Sequence, residues 1–179
     1  MKRYFVIGDR ASNSLSPLIF NHWFKKYKIN AKYTYIQIKK NKLKETILNT
    51  TNNKDVGGFN VTIPYKKDVI RFIKKINKDA KAIKAVNCVI NEKESIGINT
   101  DWIGYKNSLK SHNISKSKHV IILGYGGAAK AIYYALRLGG FNNIYIFNRS
   151  KKLIKILGCG AYTKKYNTVD KYLHHVGLL

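Results

Sequence analysis

Two groups of residues in this 179-residue chain have the types and spacing that chemistry needs. The first is a glycine-rich string, Gly124-x-Gly126-x-x-Ala129, set inside VIILGYGGAAKAIYYAL. Gly124 permits a tight turn, Gly126 lets the backbone approach a pyrophosphate, and Ala129 lets a helix pack closely on the preceding strand. The helix that begins there offers unpaired amides and the positive end of its dipole to phosphate. The second group is Lys66 with Asp101. When hydride passes between a nicotinamide and a carbonyl carbon, the carbonyl oxygen must gain or lose a proton. A lysine within reach can move that proton, and an adjacent carboxylate can orient the lysine, bind the substrate and couple to its titration.

Four polar clusters accompany the pair, each at the end of an expected strand, where open α/β sheets bind ligands. They are Ser14-Leu15-Ser16-Pro17, Asn60-Val61-Thr62 running on to Lys66, Val86-Asn87, and Asn99-Thr100-Asp101. Ser14 and Ser16 precede a helix and suit a carboxylate. Asn60 and Thr62 are two apart on a strand, so they point the same way and can share a polyhydroxy ligand. Residue by residue, Ser16 also reads as a helix cap, Asn87 as a turn residue and Asp101 as the cap of the next helix. Alone, the clusters define a polar ligand pocket. Asn148-Arg149-Ser150-Lys151-Lys152 follows the second strand of the glycine-rich unit. It carries no carboxylate to hold a ribose 2′-hydroxyl, and Arg149 would attract a 2′-phosphate, so NADP is favoured over NAD.

The elements that must position these residues alternate short apolar runs with amphipathic stretches, an α/β pattern with parallel strands. Strands are expected at 3–7, 32–38, 56–63, 85–90 and 95–99. A helix opening at Ser16-Pro17 would turn Ile19, Trp23, Phe24 and Tyr27 inward, and one over 42–50 would bury Leu43, Ile47 and Leu48. Short helices follow at 67–73 and 77–84. The polar stretch 111–118 (SHNISKSK) reads as a linker. Beyond it come a strand at 120–123, a helix over 127–138 closed by Gly139-Gly140, and a strand at 143–147. A short helix, a strand at 159–163, a helix at 169–173 and the start of another strand at 175–179 complete the chain. Residues 1–110 are thus expected to form an α/β substrate-binding and catalytic domain. Residues 111–179 would form an incomplete Rossmann-type NADP-binding domain.

Composition narrows the function classes. Lys+Arg number 34 against 9 Asp+Glu, a formal charge of +25, yet 45% hydrophobic residues exclude a disordered polybasic tail. Only five of the 34 basic residues are arginine and the lysines are scattered, which argues against specific nucleic-acid binding. Cys88 and Cys159 lack the spacing of a disulfide framework or a metal module. The N-terminus does not read as a signal peptide, and no apolar run approaches the roughly 20 residues of a membrane helix. A soluble protein of the reducing cytoplasm, with no metal and no membrane partner, is the expectation.

SNSLSPLIFN (12–21), GFNVTIPYK (58–66), AVN (85–87), NTDWIG (99–104), GYGGAA (124–129) and NRS (148–150) together resemble, in order, the shikimate dehydrogenase family. The resemblance implies NADP-dependent reduction of 3-dehydroshikimate to shikimate, in a cleft between a substrate domain and a Rossmann-type domain. It assigns Ser14 and Ser16 to the substrate carboxylate, and Asn60, Thr62 and Asn87 to its hydroxyls. Lys66 becomes the acid/base and Asp101 its paired carboxylate. Gly124, Tyr125, Gly126, Gly127 and Ala128 would cradle the pyrophosphate, while Asn148, Arg149 and Ser150 would meet the adenosine phosphate. The small-molecule substrate is the expected partner, with a homodimer allowed. Lys84 and Cys88 depart from the Gly and Thr that usually flank AVN, and Leu153 from a basic position after NRS. The family's last third, with its later strands, terminal helices and a substrate-binding tyrosine and glutamine, has no counterpart here, so a C-terminally truncated form is expected. Alternatives are a non-catalytic remnant, or a paralogue acting on quinate or a related cyclohexene carboxylate.

Overall fold

A computed structural model of the chain describes residues 1–148 and 163–164. It divides into two units, Met1–Thr100 and Asp101–Leu179. In the first, β1 (Lys2–Gly8) alternates its side chains between two apolar layers. Tyr4 and Val6 face one layer with Tyr33, while Phe5 and Ile7 face the other. Both faces must therefore be covered. β2 (Ala31–Gln37) and β3 (Val56–Val61) flank β1 in parallel; with β4 (Lys75–Ile76), β5 (Cys88–Asn91) and β6 (Ser95–Ile98) the full sheet runs β2-β1-β3-β5-β6-β4.

One strand departs from the all-parallel expectation. β5 (Cys88–Asn91) is antiparallel to both β3 and β6 (Ser95–Ile98). Only residues 92–94 join β5 to β6, enough for a hairpin but far short of the dozen or so that a parallel crossover needs. β4 (Lys75–Ile76) is a two-residue edge strand, too short to show in the sequence pattern. Strand structure begins at Cys88 rather than at 85; Val86 donates its N–H to the Lys66 carbonyl, outside the sheet.

α1 (Ser16–Lys26) covers one layer, but with Phe20 and Phe24 turned in. Ile19, Trp23 and Tyr27, expected inside, are exposed. The helix is apolar on more than one face, and its contacts with Val6, Ala11 and Tyr33 select which face is buried. The other layer takes α2 (Leu43–Asn52), which buries Leu43, Ile47 and Thr50. Thr50 rather than Leu48 is the third inward residue, its hydroxyl satisfied by the Thr46 carbonyl at 2.6 Å. The helix expected at 67–73 is a 3-10 turn, Asp68–Phe72. α3 (Lys78–Ile83) starts from Asn77, whose side-chain oxygen accepts the Ala80 N–H at 2.8 Å.

In the second unit α4 (Asp101–Lys110) is followed by β7 (Val120–Leu123), α5 (Gly127–Leu138), β8 (Ile144–Phe147) and β9 (Thr163–Lys164). The strands form a parallel sheet in the order β7-β8-β9 over a core of Ile122, Leu136, Phe141, Ile144 and Ile146. α4 packs on α5, with Trp102 edge-on to Tyr134 at 5.5 Å, and Tyr105 and Leu109 reach the same core. The boundary therefore falls at Thr100/Asp101, ten residues before the expected 110/111. The elements expected beyond residue 148 lie outside the described residues, apart from Thr163, which opens β9.

Candidate active site

β1, β3 and β6 end, and β5 begins, along one edge of the six-stranded sheet, and the polar clusters of the first unit meet there. β1 ends in Gly8, where a Cβ would fall on the Thr62 methyl group. Glycine thus allows Thr62, on the same face of the chain as Asn60, to lie against β1. Ser16 is not a cap. It is the first residue of α1, with Leu15 before it and Pro17 after. The Ser14 hydroxyl accepts the Ser16 N–H at 3.2 Å and donates to the Ser16 hydroxyl at 3.1 Å.

A second set of bonds runs across the strands from Tyr33, near whose phenol the Ser16 hydroxyl lies. Tyr33 is buried, stacked on Phe20 with ring centroids 4.6 Å apart, and its backbone is clamped by Asn21. The Asn21 amide donates to the Tyr33 carbonyl at 2.8 Å and accepts its N–H at 2.9 Å. The phenol donates to Asn60 Oδ1 at 2.7 Å, and Asn60 Nδ2 donates to the Asn87 carbonyl at 3.2 Å. The Asn87 side chain then grips Thr100. Its Oδ1 accepts the Thr100 N–H at 2.8 Å and its Nδ2 donates to the hydroxyl at 2.9 Å. Burial raises the Tyr33 phenol well above its usual range, aided by the neighbouring Cys88, with the Ser16 bond pulling the other way. Burial likewise raises the Cys88 thiol.

Lys66 joins this edge through its backbone. Its carbonyl accepts the Val86 N–H at 2.7 Å, next to Asn87. Tyr65 before it is buried, with its hydroxyl on the Ile38 carbonyl at 2.9 Å, so the half-buried Lys66 leaves from an anchored point. Asn99 is fully enclosed and donates to the Ala85 carbonyl at 2.9 Å, a bond that holds the turn. Asp101 follows Thr100 directly and is the first residue of α4, in the second unit.

The second unit presents a different construction. Gly124 has φ +98°, a value that favours glycine, and its N–H donates to the Phe147 carbonyl at 2.6 Å. Tyr125 packs on the core beneath, with Lys130 Nζ 5.3 Å from its ring centroid. Gly126 caps α5 without a side chain, and a Cβ there would meet nothing within 4 Å. Gly127 and Ala128 open the helix, and Ala129 packs on the Ile122 core. The first turn of α5 therefore starts with no side-chain cap, beside open space at Gly126, the kind of helix start that suits a phosphate. Asn148 follows β8; Arg149 and Ser150 lie outside the described residues. Among the described residues there is no cluster of His, Cys, Asp and Glu that could hold a metal, and no helix long and apolar enough to cross a membrane.

The sequence reading missed Tyr33, Asn21 and Thr100. Thr100 sits inside a cluster that it flagged, but Tyr33 lies in the β-rich run KYTYIQI, which no motif marks. Its role comes from a contact with Asn60, 27 residues away.

Comparison with known proteins converges on one family. The shikimate dehydrogenase substrate binding domain matches residues 6–89. The NADP(+) shikimate dehydrogenase of Caldicellulosiruptor saccharolyticus is 40% identical over 153 residues, 84% of this chain and 55% of that protein. The enzyme of the same name from Clostridium botulinum is 37% identical over 177 residues, 93% of this chain and 67% of its own length. Among solved structures, shikimate dehydrogenase 1 of Peptoclostridium difficile superposes with a TM-score of 0.86 at 30% identity, over 93% of this chain and 62% of that one. The chain thus spans little more than half the length of the first of these relatives. With its glycine-turn unit following a sheet edge lined by serine and asparagine, the chain belongs to the shikimate dehydrogenase family.

Proposed function

We propose that this chain binds shikimate and NADP and interconverts shikimate and 3-dehydroshikimate. The observation that carries this reading is the gathering, along one sheet edge, of the bonded pair Ser14–Ser16 and the hydrogen-bonded run Tyr33–Asn60–Asn87–Thr100. It presents hydroxyls and amides to a small polyhydroxy acid, with a lysine beside it. Ser14 and Ser16, at the start of α1, hold the carboxylate. Asn60, Thr62 and Asn87 take the ring hydroxyls. Lys66 gives its proton to the substrate oxygen in reduction and, as the neutral amine, takes it back in oxidation. Asp101 orients Lys66 and accepts a substrate hydroxyl.

The residues of the second unit fit a dinucleotide, since the space beside Gly126 is open and the first α5 amides are uncapped by side chains. NADPH, when bound, supplies the hydride. Gly124 through Ala128 cradle its pyrophosphate, and Asn148, Arg149 and Ser150 meet the 2′-phosphate. A cytoplasmic location and a homodimer belong to the same proposal.

Shikimate-dependent NADP reduction by the 179-residue chain, followed by absorbance, tests the reading. Lys66→Ala should lower turnover about 10²–10⁴-fold, the usual contribution of a positioned acid–base group. Turnover close to that of the unmodified chain would overturn the assignment of Lys66. Failure of the unmodified chain to bind shikimate or NADP would overturn the function.

A further inference from the structure

We propose that Tyr33 is a positioning residue of the shikimate site, one that sets which way the Asn60 amide faces and so which kind of ligand atom Asn60 donates to. The inference rests on the function proposed above, but its geometry stands in the first unit alone. An asparagine amide can turn over, exchanging its acceptor for its donor. Here the choice is made by a neighbour. The phenol donates to Asn60 Oδ1 at 2.7 Å, and the carbonyl of Asn87 takes one Nδ2 proton at 3.2 Å. The second Nδ2 proton is what Asn60 then offers a ligand. The position therefore selects an oxygen with lone pairs, such as a ring hydroxyl or ketone, and disfavours an ammonium.

Tyr33 is held for this task from two directions: Asn21 clamps its backbone and Phe20 stacks on its ring. A tyrosine that merely filled space would need neither the Asn21 clamp nor the bond to Asn60.

The test uses the full chain. Tyr33→Phe keeps the ring on Phe20 and removes only the hydroxyl. KM for shikimate, and its directly titrated Kd, should rise roughly five- to tenfold, the worth of one such bond, while kcat changes less than about threefold. Asn60→Ala should weaken binding as well, and the double variant should be no worse than Asn60→Ala alone. Additive losses, or an unchanged KM in Tyr33→Phe, overturn the proposal. A second readout needs neither substrate nor variant. In the isotope-labelled unmodified chain, Asn60 Nδ2 protons should give nuclear Overhauser effects to Asn87 rather than to the Tyr33 ring edge, and the reverse pattern overturns the assignment. A chain that binds no shikimate would defeat the proposed function, and this amide pattern alone would then decide the role of Tyr33.

Discussion

Between Ser14 and Thr100 the candidate site is built from side chains that bond to one another and to neighbouring backbone, whereas between Leu123 and Ala128 it is backbone with side chains withheld. The first unit brings together groups as far apart in sequence as Tyr33 and Asn60, or Asn60 and Asn87. The second uses a single strand–turn–helix segment, in which glycine conformation at Gly124 and open space at Gly126 are the working features. A ring bearing several hydroxyls and a carboxylate needs directional partners at several points, which a network of side chains supplies. A pyrophosphate needs amides and room, which a helix terminus supplies without them. The first construction should therefore couple folding to recognition, and the second should separate them.

Asn87→Ala offers the largest break in that comparison. It removes the side-chain bonds to the Thr100 N–H and hydroxyl from a residue only 8% exposed. Chemical denaturation should show about 2–3 kcal/mol lost, because buried partners are left unpaired. Shikimate binding should fall in the same variant. Full stability with lost binding would show that the line of side chains is a ligand surface only. Gly8→Ala should come next, at about 1–3 kcal/mol, since the new methyl must displace Thr62. It should weaken shikimate binding while leaving NADP affinity unchanged.

Gly126→Ala probes the other construction. The added Cβ touches nothing in the protein, and φ at Gly126 is −78°, which alanine adopts freely. Stability should stay within about 0.5 kcal/mol, as for substitutions away from any packed feature. NADP affinity should fall roughly tenfold, about 1.4 kcal/mol, as the methyl occupies the approach to the pyrophosphate. Equal losses of stability and affinity would erase the distinction between the units.

The same contrast explains what could be read from the sequence. The segment from β7 through α5 to β8 was legible nearly to the residue, because turn, cap and helix are decided by neighbours in the chain. Ser14, Ser16, Asn60, Thr62 and Asn87 were legible as polar groups at strand ends, although their mutual bonds were not. The inward face of α1 was misread because Ile19, Trp23 and Tyr27 compete with Phe20 and Phe24, and only the sheet beneath chooses between them. Tyr33 was invisible for a related reason. Its partners come from α1 and β3, so its function exists only once those elements meet.

The smallest expected effect concerns alkaline pH and isolates Tyr33 without changing any neighbour. Burial holds its phenol above the ordinary value of 10.0 in the folded chain. Between that value and the raised one, the unfolded chain has released a proton that the folded chain retains. Stability from this source is complete below about pH 10 and declines as pH rises, by at most about 1.4 kcal/mol per pH unit for one group. Tyr65 is shifted in the same direction, mainly by burial with Asp9 and Asp68 adding, so Tyr33→Phe should flatten the decline rather than abolish it. Denaturation midpoints at pH 9 and pH 11 for the two chains give the difference. An identical decline in both would mean that the phenol opens to water before the unit unfolds. The Tyr33–Asn60 bond would then be separable from the fold, as the glycine turn is, and the contrast between the two constructions would fail at its central residue.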